Sequence, residues 1–178
     1  HQDPAGNTTS YTYEAGTFRL SRITRPGGSF VLFTYDANDN LLTLRDENGH
    51  ITTFTYDNND NLASASDPLG HLTTFGYDAN DDVTRVTDPL AGITTFAYDG
   101  LRQLASRTDP NGNTVTWTYD ARRRLESVID GAGKTWSLGH DAEAVPASFT
   151  NPLADTWTRT TDRLGRPVAA ADPRGNTA

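Results

Sequence analysis

The chain has 178 residues, a formal net charge of −8, and neither cysteine nor methionine. That length suffices for one domain with a core, but the missing cysteines exclude a disulfide framework and any thiolate metal site. The acidity argues against nucleic-acid or anionic-membrane partners, which need a basic footprint, and no stretch approaches the roughly 20 apolar residues of a membrane helix.

Residues 1–8 form an N-terminal lead-in, and the start HQDPAGNTTSYTYE has no apolar signal segment. With no initiator methionine, the sequence is expected to be processed or cut from something longer. From residue 9 to 178 the chain reads as a tandem array. Tyrosine recurs at 13, 35, 56, 77, 98 and 119, spaced by 22 and then four times by 21. The same frame reaches His140 and Thr161, each followed by aspartate, so about eight repeats fill the array and degenerate from about residue 138.

Every repeat begins with an alternating segment such as Thr52, Phe54 and Tyr56 against Thr53 and Thr55, the period-two signature of a half-buried strand. Phe33, Phe54, Phe75, Phe96 and Trp117 stand two residues ahead of Tyr35, Tyr56, Tyr77, Tyr98 and Tyr119. Residues two apart share a face, so these ten side chains form one aromatic wall, expected to be buried as the core of the sheet. A polar turn follows the tyrosine, as in DANDN or DNNDN, and then a second strand opens at Leu41, Leu62, Val83, Leu104 and Leu125. A further aliphatic column falls three residues later, at Leu44, Val86 and Val128. Three is odd, so a regular strand cannot place both columns on one face, and a β-bulge or early curvature is expected there. The repeat closes on Asp-Pro-x-Gly, where proline presets a turn and glycine supplies its unusual φ. Two reversals per repeat predict an all-β fold, a curled or spiralled antiparallel hairpin ribbon without long helices.

The YDxxxxL core and DPxG turn at this period resemble the YD/RHS repeat family. That resemblance implies a spiralling β-shell of the kind found in bacterial polymorphic toxins, insecticidal toxin complexes and teneurin-like proteins. It also implies a secreted or cell-surface bacterial protein, whose partners are other repeats of the same or identical chains and an encapsulated toxin domain in a longer parent. The chain departs from the family pattern. Glycine, usual three residues after the YD aspartate, gives way to Asp39, Asp60 and Asp81, then Arg102 and Arg123, then Ala144. The arginines and alanine suggest a change of turn type. Leu138 and Arg159 interrupt the aromatic column, while Trp136 and Trp157 appear two residues earlier on the same face by parity. Asp172-Pro173-Arg174-Gly175-Asn176 has asparagine where the family's self-cleaving motif carries leucine, and reads as one more repeat turn.

The aspartates of the two turns, Asp36, Asp57, Asp78, Asp99 and Asp120 in one column and Asp67, Asp88 and Asp109 in the other, are expected to cap turn amides. No cofactor is expected, although the rival reading of these turns is calcium, since Asp36-x-Asn38-x-Asn40 matches the start of an EF-hand loop before failing at Leu41. His50 and His71 occupy equivalent slots about 9.6 Å apart, too far to share one ion, and read as surface histidines. The run Arg122-Arg123-Arg124 reads as a solvated cluster beside aspartates. Every carboxylate pair recurs many times, whereas catalysis needs one singular constellation, so no enzyme is expected. The leading expectation is a non-catalytic scaffold. Its rivals are a self-assembling filament built by end-to-end strand addition and a glycan-binding module in which Trp117, Trp136 or Trp157 faces solvent.

Overall fold

The computed structural model describes residues 1–177, which form an all-β chain of sixteen strands ordered β1 to β16 in one antiparallel, unclosed sheet. Two compact units divide it, His1–Ile93 and Thr94–Ala178. The first holds β1 (Ser10–Tyr13), β2 (Leu20–Thr24), β3 (Phe30–Tyr35), β4 (Leu41–Arg45), β5 (Ile51–Tyr56), β6 (Leu62–Ser66), β7 (Leu72–Tyr77) and β8 (Val83–Thr87). Strand β9 (Ile93–Tyr98) begins at the division, and the second unit continues with β10 (Leu104–Thr108), β11 (Thr114–Tyr119), β12 (Leu125–Ile129), β13 (Thr135–His140), β14 (Pro146–Thr150), β15 (Thr156–Thr161) and β16 (Pro167–Ala171).

The expected bulge is present in every repeat whose register is resolved. In the first unit Tyr35 pairs with Leu41 and Phe33 with Leu44, so three residues on β3 oppose four on β4. The same shift recurs where Tyr56 meets Leu62 and Phe54 meets Ala65, and in the second unit where Tyr119 meets Leu125 and Trp117 meets Val128. One extra residue restores parity, placing both aliphatic columns on the aromatic face. The opposite face is a ladder of hydroxyls, with Thr34 and Thr43 Oγ1 2.6 Å apart, Thr55 Oγ1 and Ser64 Oγ 2.6 Å apart, and Thr118 Oγ1 and Ser127 Oγ 2.8 Å apart. Cross-strand hydroxyl pairs of this kind hold register at exposed positions.

The wall is not sealed, contrary to the expectation of a buried core. No described residue is fully buried, and the aromatic columns are half-buried. A single layer of sheet has no opposing layer to cover its apolar face, so each ring is covered only by its neighbours along the sheet.

Both turns of the repeat have one geometry. In each, the first residue donates its N–H to the carbonyl four residues on and accepts from the N–H three residues on, as Asp57 does with Asn61 and Asp60, and Asp67 with His71 and Gly70. The residue at the third position takes a left-handed φ, the pattern of a type I turn closed by a left-handed residue. The suggested change of turn type does not occur. Arg102, Arg123 and Ala144 hold φ of 64°, 66° and 69°, beside 63° for Asp60 and 74° for Gly165. Closure by the flanking strands fixes the conformation whatever residue stands there. The 22-residue first spacing is also explained, since Glu14 donates to the carbonyl of Arg19, one position further than elsewhere. The lead-in is continuous with the array in conformation, because Asp3, Gly6 and Asn7 build the same turn, with Gly6 at φ 86°.

Left-handed backbone costs an ordinary residue about 1–2 kcal/mol, and glycine relieves this while losing about 0.4–1 kcal/mol through the unfolded chain. Replacing Ala144 or Ala154, which sits at φ 65°, by glycine should therefore stabilise the protein. The expected gain is about 0.5 kcal/mol at each site, read as a higher urea midpoint at constant slope.

Candidate functional site

The aspartates predicted from sequence all open turns, and their carboxylates cap those turns. Asp57 Oδ1 accepts the amides of Asn59 at 2.8 Å and Asn61 at 3.0 Å, and Asp67 Oδ1 accepts those of Leu69 and His71, both at 2.9 Å. Asp36, Asp78, Asp88, Asp99, Asp109 and Asp120 repeat the arrangement. Asn151 does the same with its amide oxygen, accepting from Leu153 and Asp155 at 2.9 Å each. An acceptor oxygen is therefore the requirement, with charge an addition to it.

The second carboxylate oxygen takes a side chain from the fourth position. Asp46 Oδ2 lies 2.9 Å from His50 Nδ1 and Asp67 Oδ2 lies 2.8 Å from His71 Nδ1, so the histidines belong to turns. Asp120 Oδ2 accepts from Arg124 Nε at 2.7 Å, and that bond, with the Arg124 and Arg122 amides, holds the Asp120 carboxyl down to about 2. Within the arginine run, Arg122 instead donates to the carbonyl of Ala142 at 2.9 Å, and Arg123 supplies the left-handed residue. Among the described residues no three His, Asp or Glu side chains gather as metal ligands. The asparagines of the calcium-like triplet turn to the neighbouring repeat, since Asn38 and Asn40 both donate Nδ2 to Asp60 Oδ1, at 2.8 and 2.7 Å.

Those last bonds join one repeat to the next. Asp81 Oδ1 receives Asn59 and Asn61 in the same way, at 3.1 and 2.6 Å. The left-handed aspartates at 60 and 81 thus offset their backbone cost with two inter-repeat acceptor bonds each, which glycine could not make.

The tyrosine column makes a second inter-repeat tie. The hydroxyls of Tyr35, Tyr56 and Tyr77 donate to the carbonyls of Leu20, Leu41 and Leu62, at 3.0, 3.1 and 2.9 Å, and Tyr119 donates to Leu104 at 2.9 Å. Each reaches back fifteen residues to the start of the preceding even strand, and its ring joins the wall beside the phenylalanine column. In each case the carbonyl lies beyond the ladder that joins its strand to the tyrosine's, which reaches only to Arg22, Thr43, Ser64 and Ser106. Tyr56→Phe should remove one such tie and cost about 1 kcal/mol, measured by urea denaturation. At the eroded end Thr161 turns its hydroxyl to Asp141 Oδ2 at 2.6 Å instead. Of the three tryptophans, Trp117 and Trp136 are half-buried on the wall, and Trp157 is 41% exposed.

RHS repeat matches fall at residues 19–51, 35–74, 77–114 and 103–135, together more than half of the chain. No curated protein matches it. Among solved structures, TcdB2-TccC3 without its hypervariable C-terminal region superposes with a TM-score of 0.66 at 17% identity, over 99% of this chain and 11% of that one. TcdB2-TccC3 gives 0.66 at 17%, over 99% and 12%. The Photorhabdus luminescens Tc holotoxin pore with a TccC3 mutation gives 0.58 at 16%, over 96% and 12%. The chain thus spans about an eighth of the length of these structures, and at such identity the likeness is one of fold. Since the matched segments cover the hairpins that carry the tyrosine ties and the paired turns, the chain belongs to the RHS repeat family.

Proposed function

We propose that the chain is a wall segment, a non-catalytic structural scaffold within a secreted or cell-surface RHS-repeat protein of a bacterial toxin complex. One observation carries the reading: the polar chemistry of the repeats, in the aspartate caps, the asparagine bridges and the tyrosine ties, is spent on holding each repeat to itself and its neighbour. A surface built this way encloses or supports, and the encapsulated toxin domain of a longer parent is the partner that fits it. The likeness to TcdB2-TccC3 supports the same reading.

Self-assembly by end-to-end strand addition is the second reading. Negative-stain electron microscopy over a concentration series separates the two. Monomeric particles at every concentration, with amide protection recurring at the repeat period, support the wall. Regular filaments of constant width would replace it with the filament, and turnover in a hydrolase screen would end both.

A further inference from the structure

We propose that the hydroxyl face binds a phosphomonoester group between Arg22 and Arg45, which flank Phe30. In a repeat protein a singular constellation arises only where the repetition breaks, and several breaks meet on β2 to β4. Phe30 is an aromatic residue in a column that continues as Ile51, Leu72 and Ile93. Arg45 is a cation in a column that continues as Ser66, Thr87 and Thr108. Arg22 likewise stands where Thr43 and Ser64 follow. Arg25 opens the turn 25–29, whereas every other turn of this length among the described residues opens with aspartate or asparagine. All three strands lie inside the array, flanked by β1 and β5.

Leu32 pairs with Arg22 on one side and Arg45 on the other, so both arginines share its face. Their guanidinium carbons stand 4.0 and 5.5 Å from the centre of the Phe30 ring. Stacking occupies the flat side of a guanidinium and leaves its N–H edge for an acceptor. Neither arginine has a hydrogen bond or an ion pair among the described residues, and only Arg22 Nε is shielded, so the Nη groups of both reach solvent. Arg45 Nη2 lies over the next turn, 3.3 Å from where a β-carbon on Gly49 would stand. This corner already takes an anion, because Glu47 of that turn accepts from Arg25 Nε and, at 3.1 Å, from Ser29 Oγ. Asp46, which follows Arg45, is committed to its own turn amides and to His50. One carboxylate thus serves three guanidiniums, and two remain without a counter-charge in a chain of net charge −8. Two forks on either side of a ring call for an acceptor with more than one edge. A phosphomonoester has several peripheral oxygens and about two negative charges, whereas a carboxylate offers one edge to one fork.

Isothermal titration calorimetry of the whole chain with glycerol 2-phosphate and with acetate, at pH 8 and about 0.15 M salt, tests the assignment. Saturable binding of glycerol 2-phosphate is expected with a Kd on the order of 0.1–1 mM, and acetate at least about tenfold weaker. Arg22→Gln and Arg45→Gln should each weaken binding about tenfold. Glu47→Gln, which frees Arg25, should tighten it about threefold. Arg85→Gln, on the same face but opposite Gly76, should leave it unchanged. Circular dichroism establishes that each variant is folded. Sedimentation with phosphatidylcholine vesicles containing phosphatidic acid separates the two sources of the group: pelleting that glycerol 2-phosphate reverses assigns the site to a lipid headgroup, and saturable heat without pelleting assigns it to a soluble ester. No saturable heat with glycerol 2-phosphate overturns the proposal, as does equal affinity for acetate or binding undiminished in Arg22→Gln and Arg45→Gln. A loss in Arg85→Gln as large as theirs would reduce binding to diffuse attraction, and would also overturn it.

Discussion

Phe75→Ala is expected to destabilise the protein by about 2 kcal/mol, the largest effect of any single truncation on the aromatic face that leaves the turns intact. Removing a fully buried phenylalanine costs about 3–5 kcal/mol, and Phe75 is half-buried, so the lower part of its transfer and cavity terms applies. Its cross-strand partner is Val86, and Tyr77 follows it on the same face with a hydroxyl fixed to Leu62, so the backbone cannot collapse into the space left behind. The loss will also be local. In an array where each hairpin touches only its neighbours, stability is a sum of repeat and interface terms, and a weakened repeat opens before the rest. Hydrogen exchange should therefore show β7 and β8 losing protection first, together with the drop in urea midpoint. Thr55→Ser on the other face, which keeps the hydroxyl contact with Ser64, should stay within about 0.5 kcal/mol. Equal effects at the two positions would show that the aromatic face does not hold the ribbon.

Much of this architecture was legible in the spacing of residues. The odd offset between Leu41 and Leu44 demanded a bulge, and the register supplies it at the expected place. The strands follow from alternation, and the turns follow from aspartate with glycine or proline. What escaped the sequence depends on contacts between repeats. Arg123 and Ala144 argued for another kind of turn because isolated residues of those types avoid a left-handed φ, but strand pairing on both sides dictates the closure. The tyrosine hydroxyl had a visible signal, since phenylalanine never replaces tyrosine at 35, 56, 77, 98 and 119 while the neighbouring column tolerates Phe and Trp. Its partner, a carbonyl fifteen residues back, emerges only once the strands are in register and the ladder stops short of it. The part played by Asp60 and Asp81 in place of glycine was hidden because their acceptors serve asparagines of another repeat. The erosion at Leu138 and Arg159 was equally plain, but the pairing of Phe149 with Trp157 emerges only from the register of β14 and β15.

Acid should unfold this protein over a narrow range, because a row of carboxylates titrates against it together. Asp3, Asp36, Asp46, Asp57, Asp67, Asp109, Asp120, Asp141, Asp162 and Asp172 all lie below the ordinary aspartate value of 3.8 in the folded chain. Turn amides donate to each carboxylate, and asparagine, histidine, threonine or arginine side chains add to them. As pH falls past 3.8 the unfolded chain takes up protons that the folded chain still refuses, so stability declines from there until the folded carboxylates also protonate, near 2 for Asp120. Above that range the contribution is fully present. Since ten groups shift in the same direction, the slope of stability against pH should correspond to several protons, and the melting temperature should hold level to about pH 5 and then fall steeply. Added salt should change little at most turns, where the partners are neutral dipoles, and more at Asp120 and Asp162, whose partners are Arg124 and Arg166. Thermal melts from pH 7 to 2 at fixed ionic strength measure the slope, and a level melting temperature through this range would mean that the caps do not stabilise the fold. The natural Asn151 turn supplies the control, because it keeps the accepting oxygen without a titrating group. Asp57→Asn and Asp67→Asn should each preserve the turn and flatten the acid limb, whereas Asp57→Ala should lower stability at pH 7 itself by removing the acceptor that both amides share.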